Sequence, residues 1–134
     1  MADSVFSKII RGEIPCHKVY EDAHTFAFMD IRPINPGHML IVTKKEVDHL
    51  WDLDHEPYSH LMDTAKKVAL RIKEVLNPPR VGMNVEGFGV PHVHLHVYPL
   101  HKGLESTMKD YISKEDQSAS DKELQEMAVR LAFK

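Results

Sequence analysis

Apolar residues at three- and four-residue spacing mark three segments of the chain as amphipathic helices. The first segment is short and ends at Gly12, and its apolar positions are Val5, Phe6, Ile9 and Ile10. The second segment lies between Asp54 and Asn77, and its apolar positions are Leu61, Ala65, Val68, Ile72 and Val75. The third has an acidic start at Asp121, and its apolar positions are Leu124, Met127, Ala128 and Leu131. The spacing predicts one long helix and two shorter ones.

Five other segments have the residue pattern of β-strands. They span residues 18–21, 25–30, 38–43, 81–85 and 92–100. Neighbouring strands joined by tight turns predict an antiparallel sheet with helices packed on it, which is an α+β fold. A doubly wound sheet would need a helix between each pair of strands, and the chain lacks those helices. Because a bare edge strand invites pairing, we also expect a homodimer.

Composition limits the classes of function. The 134 residues are 43% hydrophobic and 28% charged, as in an ordinary globular protein, and we expect one domain over residues 1–134. The net charge is −3 and the basic residues are scattered, so any ligand should be small rather than a long nucleic acid. Cys16 has no second cysteine to pair with, and neither a secretory signal nor a membrane-spanning run is evident. These features favour a cytoplasmic protein that binds neither a membrane nor a long nucleic acid.

The strand at 92–100 contains the main candidate for chemistry. Residues two apart in a strand point the same way, so His92, His94 and His96 should share one face. The alternating Val93, Leu95 and Val97 should enter the core. A purely structural role for three imidazoles on one face is the weakest interpretation, because each buried imidazole would need polar partners.

Two functional interpretations remain open on the residues alone. Alternating histidines can ligate zinc, and His38 could supply another nitrogen, although no cysteine pair or acidic residue accompanies the motif. Alternatively, a neutral imidazole can attack phosphorus, held in one tautomer by a backbone carbonyl or by His38. Main-chain N–H groups at Gly87 and Gly89 could then approach an anion closely.

The sequence resembles the histidine-triad family of nucleotide hydrolases and transferases. Four blocks carry the resemblance in order, at residues 6–15, 28–31, 36–38 and 92–98 (His-Val-His-Leu-His-Val-Tyr). It spans about residues 5–103 and leaves 104–134 as a C-terminal tail and helix. The resemblance implies a five-stranded antiparallel sheet joined to its copy in a homodimer. It also implies cleavage of nucleoside phosphoramidates or dinucleoside polyphosphates through a nucleotidyl-histidine intermediate, with no cofactor.

The same resemblance implies roles for individual residues. His94 would be the nucleophile, His92 and His96 would position it and bind phosphate oxygens, and His38 would complete the catalytic cluster. Nucleotide-binding residues would be Asp30 on the ribose hydroxyls, an apolar slot for a purine base, and groups near the phosphate. The slot would comprise Phe6, Ile9 and Ile31, and the groups near the phosphate would be Asn84 and the Gly89 main chain.

Two places differ from the family pattern. Phe88 and Gly89 stand where many members carry a Gln and a Ser or Thr, which leaves a nucleotide-binding sensor without turnover as the alternative function. Ser4 and Ser7 stand where some bacterial relatives carry two zinc-binding cysteines, and Glu46 stands near the place of their histidine, so no metal is expected. The six other histidines, including His24 and His60, are expected to be solvated surface residues.

Overall fold

The computed structural model describes residues 3–103 and 119–133, and its elements follow the predicted order. They are α1 Val5–Ile10, β1 Lys18–Glu21, β2 Thr25–Met29, β3 Met39–Thr43, a 3₁₀ turn Leu50–Asp52, α2 His55–Leu76, β4 Arg80–Asn84, β5 His94–Leu100 and α3 Asp121–Leu131. Most of the predicted tail from 102 to 120 lies outside the described residues. Among the helices that are described, none is long and apolar enough to cross a membrane.

The five strands form one antiparallel sheet in the order β1-β2-β3-β5-β4. This arrangement confirms the predicted α+β class. Strand β5 begins at His94, two residues later than predicted. The backbone explains the difference, because the N–H of His92 bonds to the carbonyl of Val90 at 2.8 Å and that of Val93 bonds to Val47 at 2.7 Å.

Side-chain alternation sorts the apolar residues onto the two faces of the sheet. Helices α2 and α3 cover one face, where the core includes Met29, Ile41, Leu61, Val68, Ile72, Leu95, Val97, Leu124 and Leu131. The opposite face carries a smaller cluster of Phe6, Phe26, Phe28, Leu40 and Val42, to which α1 contributes. His94 and His96 lie opposite Val42 and Leu40 in the β3–β5 register, so they belong to this second face.

Local capping explains where the helices begin and end. Ser4 caps α1, since its Oγ accepts from the N–H of Ser7, and Ser120 caps α3 in a reciprocal pair with Glu123. Asn77 ends α2 in the left-handed conformation, with φ of 49°. Asp54 occupies the predicted N-cap position of α2, but its side chain makes no cap bond.

Candidate active site

One ring nitrogen of His94 bonds to the backbone, and the other bonds to none of the residues that the structure describes. Its Nδ1 lies 2.7 Å from the carbonyl oxygen of His92, and a carbonyl can only accept, so Nδ1 carries the proton. In the neutral ring Nε2 then holds the lone pair. The Phe6 ring packs edge-on at 4.9 Å between centroids and limits rotation of the imidazole. Of the two tautomer-fixing partners that the sequence left open, the structure uses the backbone carbonyl.

His92 is fully buried, and both of its ring nitrogens are occupied. Nε2 donates to the Thr43 carbonyl at 2.7 Å, which leaves Nδ1 to accept from the Ser4 hydroxyl at 2.6 Å. The ring therefore has no atom left for a phosphate oxygen, and the expectation that it binds one is corrected. The contact of His92 with His94 is made by its own carbonyl.

A hydrogen-bond network continues from His92 to the surface. The Oε1 atom of Glu46 accepts from the N–H of Ser4 and from the hydroxyl of Ser7, both at 2.7 Å. The N–H of Ser7 donates to Ser4 Oγ at 3.0 Å. These donations, that of Ser4 above all, lower the pKa of the exposed Glu46 carboxyl. The network ties α1 to the loop after β3 and to the triad.

The sequence predicts that Ser4, Ser7 and Glu46 occupy the positions at which some bacterial relatives carry zinc ligands. The structure does bring the three residues together, next to His92. Hydroxyl oxygens are poor zinc ligands, and here their protons and lone pairs already bind one another. The donor set does not fit zinc.

His38 and His96 form a second hydrogen-bonded pair. His38 Nδ1 accepts from the N–H of Ile34 at 3.0 Å, so its Nε2 carries the proton and donates to His96 Nδ1 at 2.9 Å. The remaining nitrogen of His96, Nε2, must then be an N–H donor. Asp30 Oδ2 stands beside the pair, 3.5 Å from His38 Nε2 and 3.8 Å from His96 Nδ1.

Burial keeps these imidazoles neutral. Removal from water lowers the pKa of His38 to about 3 and that of His96 to about 4, with a smaller contribution from a neighbouring histidine in each case. Burial also lowers the pKa of His92. Near pH 7 the three rings are therefore uncharged, and the tautomers assigned above persist. Burial raises the pKa of Asp30. The N–H of Arg32 donates to its carboxylate at 2.8 Å and offsets part of this rise.

The atoms of Asp30, His38 and His96 that could ligate a metal ion lie within 4.8 Å of one another. Of the groups at this site, this one comes closest to the metal-binding interpretation of the sequence. However, His38 Nε2 and His96 Nδ1 face each other across a shared proton. A metal ion would have to displace that proton and separate the rings. The arrangement fits a hydrogen-bonded acid–base cluster better than a coordination sphere.

The other predicted residues differ in how they are placed. Phe6 is a core residue against His94, Ile9 is half-buried, and Ile31 is 59% exposed, so only the two isoleucines could face an open slot. Asn84 lies opposite His96 in the β4–β5 register, and its Oδ1 is buried with no hydrogen-bond partner within residues 3–103 and 119–133. Gly89 is exposed on the loop before the triad.

Sequence reasoning missed the partners of His92. Thr43 contacts His92 through its main-chain carbonyl. Every residue has such a carbonyl, so the sequence gives no signal for this contact. Ser4, Ser7 and Glu46 were considered only as absent metal ligands. Their signal was the Ser-x-x-Ser spacing at the start of a helix, which permits reciprocal capping as well as a ligand pair.

Comparison with known proteins places this geometry in one family. The family model of the HIT (histidine-triad) domain matches residues 11–103. An uncharacterized HIT-like protein of Methanocaldococcus jannaschii is 37% identical over 103 residues, which cover 74% of this chain and 80% of that protein. The adenosine 5'-monophosphoramidase of Candida albicans is 36% identical over 107 residues, covering 73% and 70% of the two chains.

Solved structures agree on the fold. The crystal structure of a Hit-like protein from Bartonella henselae, described as involved in cell-cycle regulation, superposes with a TM-score of 0.83. The two chains are 29% identical, and the superposition covers 96% of this chain and 93% of that one.

Proposed function

This chain belongs to the HIT domain family, and on that premise we propose that it is a nucleotidyl hydrolase or transferase whose attacking atom is His94 Nε2. The observation that carries the proposal is the bond from His94 Nδ1 to the His92 carbonyl, which leaves the Nε2 lone pair free. A nucleophile needs such a partner to hold its tautomer and direction. The phosphoramidase relative supports a nucleoside phosphoramidate as substrate, and dinucleoside polyphosphates remain the second class.

The first step forms a bond from His94 Nε2 to the α-phosphorus and breaks the bond from phosphorus to the leaving nitrogen or oxygen. The ring gains positive charge, and the His92 carbonyl beside Nδ1–H stabilises it. A leaving amine takes a proton from solvent as it departs, and a leaving phosphate departs as its anion. The N–H of His96 Nε2 can donate to a phosphoryl oxygen as negative charge develops there.

The second step returns the enzyme to its starting state. Water attacks phosphorus, the bond to His94 Nε2 breaks, and the nucleoside monophosphate leaves with the hydroxyl while a proton goes to solvent. In a transferase, another nucleophile would replace the water. Splitting one displacement into two in this way is the benefit of a covalent intermediate.

The nucleoside half of the site is assigned by position and chemistry. Asp30 is close enough to the histidine cluster to accept from ribose hydroxyls once the phosphate lies at His94. Ile9 and Ile31 supply apolar surface for a purine base. The Oδ1 of Asn84, which has no partner in the described part of the chain, could accept a hydrogen bond from a ligand, and a flipped amide would instead offer N–H to phosphate.

A nucleotide-binding sensor is the second candidate, and the loop before β5 favours it. Phe88 is 93% exposed and Gly89 has no side chain, so neither provides a hydroxyl or amide to the leaving group. Leaving-group stabilisation would then depend on main-chain N–H groups. The sensor predicts tight binding of a nucleoside monophosphate without turnover.

The test is hydrolysis of a fluorogenic adenosine phosphoramidate and of diadenosine polyphosphates by the parent protein and by His94→Ala. Circular dichroism first verifies that both proteins are folded. We expect turnover by the parent alone, unchanged by a chelator because no step uses a metal. Equal activity in both proteins would exclude His94 as nucleophile. Binding of adenosine monophosphate by a parent that turns over no substrate would select the sensor.

The homodimer and the cytoplasmic location stay predictions, as does the single domain over residues 1–134. Strand β4 is an edge of the sheet, and it offers its free side for pairing with a second copy. Met83 on that strand is 48% exposed, and Val85 just after it is also exposed. An apolar edge of this kind supports joining of the two sheets through β4.

A further inference from the structure

Three side chains that could ligate a metal ion, His24, Glu56 and His60, meet away from the triad, where the β1–β2 turn contacts the start of α2. The rings of His24 and His60 stack at 3.7 Å between centroids, with their planes 6° apart. The Nε2 atom of each ring lies 3.9 Å from the same carboxylate oxygen, Oε1 of Glu56. Both histidines keep part of their exposure to solvent, as expected for surface residues, but they contact each other.

We propose that His24, Glu56 and His60 form a binding site for a divalent transition-metal ion such as Zn²⁺. Their three ligating atoms already lie within 4.8 Å of one another. Zinc binds imidazole nitrogen and carboxylate oxygen at about 2.0–2.2 Å, so neighbouring ligand atoms in a tetrahedral site are roughly 3.3 Å apart. Each Nε2–Oε1 distance needs to shorten by only about 0.6 Å to reach that value.

The backbone on both sides of the site is already fixed. Glu56 and His60 are four residues apart in α2, which puts them on one face of the helix. The turn that carries His24 is held by Asp22, whose Oδ1 accepts from the N–H groups of His24 and Thr25 at 2.8 Å each. Ligands on fixed backbone lose little conformational entropy when an ion binds.

A buried contact fixes the distance between the turn and the helix. The hydroxyls of Thr25 and Thr64 bond at 2.7 Å, and each residue is close in sequence to a ligand. Thr25 follows His24, and Thr64 lies one helical turn beyond His60. A bound ion would therefore join β2 to α2 beside an existing hydrogen bond and raise thermal stability. The two stacked rings would rotate apart about their side-chain bonds to direct Nε2 at the ion, while the backbone stays in place.

The donor set decides the class of ion. Two imidazoles and one carboxylate suit Zn²⁺, Ni²⁺ and Cu²⁺, whereas Mg²⁺ and Ca²⁺ require mostly oxygen ligands. Three protein ligands leave the fourth tetrahedral position for water. The site is separate from the proposed hydrolytic residues, and the proposal does not depend on that activity.

The test is calorimetric titration of chelator-stripped, full-length protein with ZnCl₂ at neutral pH. We expect His24→Ala and His60→Ala each to weaken zinc binding by at least about tenfold, the lower limit of what loss of an outer partner costs. Glu56→Gln keeps the shape of the side chain and should also weaken binding. His55→Ala is the matched control, because His55 is an exposed histidine on the same helix that lies outside the cluster.

Thermal melting gives an independent measurement. At a zinc concentration near the parent's Kd, zinc should raise the Tm of the parent and of His55→Ala and leave the Tm of His24→Ala and His60→Ala nearly unchanged. The free-energy loss in the double variant His24→Ala/His60→Ala should be smaller than the sum of the two single losses, because both residues act through one ion. Zinc binding and Tm shifts that survive in both single variants would overturn the proposal. Loss of all zinc binding in His96→Ala alone would also overturn it, by assigning the ion to the triad cluster.

Discussion

Replacement of Ser4 by alanine tests whether the first helix cap also supports the triad. Ser4 is buried, and its Oγ accepts from the N–H of Ser7 and donates to His92 Nδ1. Loss of a helix cap costs about 1 kcal/mol. Leaving the buried His92 nitrogen unpartnered adds about 1–3 kcal/mol. The variant should therefore lose about 2–4 kcal/mol of unfolding free energy.

Ser120→Ala is the matched control for this prediction. Ser120 caps α3 in the same way, but it is exposed, and the hydrogen bonds that the structure gives for its side chain are confined to the cap. Its replacement should cost only the cap, about 1 kcal/mol. For a chain of this length, we expect the Tm to fall by roughly 10 °C in Ser4→Ala and by about 4 °C in Ser120→Ala.

Urea denaturation at pH 7.5 gives the free energies, and differential scanning calorimetry gives the two Tm values. Equal losses in the two variants would refute the reasoning, since the bond to His92 would then contribute nothing beyond an ordinary cap. A loss in Ser4→Ala at least twice that in Ser120→Ala would support it.

Three further predictions concern pH, the loop and the edge strand. The pKa of His38 falls from 6.5 to about 3 on folding, so protonation favours the unfolded chain. The free energy of unfolding should be at its full value above pH 6.5 and fall by about 1.4 kcal/mol per pH unit as pH falls toward 4. Urea denaturation of His38→Gln should show a dependence of that free energy on pH that is shallower by the same amount. Gly89→Ser should raise phosphoramidate turnover about tenfold by supplying a hydroxyl, since an added Cβ meets nothing within 4 Å. Met83→Lys should shift a dimeric parent toward monomer in light scattering, because a charged edge resists pairing.

Each of these predictions has a result that contradicts it. An unchanged pH slope in His38→Gln would mean that this histidine titrates alike in the folded and unfolded chains. Gly87→Ser is the control for the loop, since Gly87 has φ of +88° and a side chain there is strained; an equal gain in both variants would exclude a specific role for the hydroxyl. A parent that is monomeric at micromolar concentration, or a Met83→Lys variant that is as dimeric as its parent, would exclude β4 as the dimer edge.

Local patterns were sufficient to predict the elements of the fold. The three- and four-residue apolar spacing of α2 and the left-handed residue Asn77 at its end are properties of neighbouring residues. The start of β5 was harder to predict, because it depends on a bond from Val93 to Val47, 46 residues earlier in the chain. Strand order likewise depends on contacts that no local pattern specifies.

The candidate site shows the same division. Alternation on β5 was enough to predict that His94 and His96 share a face. It could not distinguish His92, which lies before the strand and has both ring nitrogens occupied by Ser4 and Thr43. The stack of His24 on His60 also escaped prediction, because the two residues are distant in sequence and each reads as an ordinary surface histidine.

The stereochemical course at phosphorus tests the covalent His94 intermediate most directly. A single diastereomer of an adenosine phosphorothioamidate, hydrolysed in ¹⁸O-enriched water, gives a chiral product whose configuration can be determined. Two successive displacements, first by His94 Nε2 and then by water, each invert phosphorus, so the account predicts overall retention. Overall inversion would mean that water attacks directly, and it would contradict a nucleotidyl-His94 intermediate.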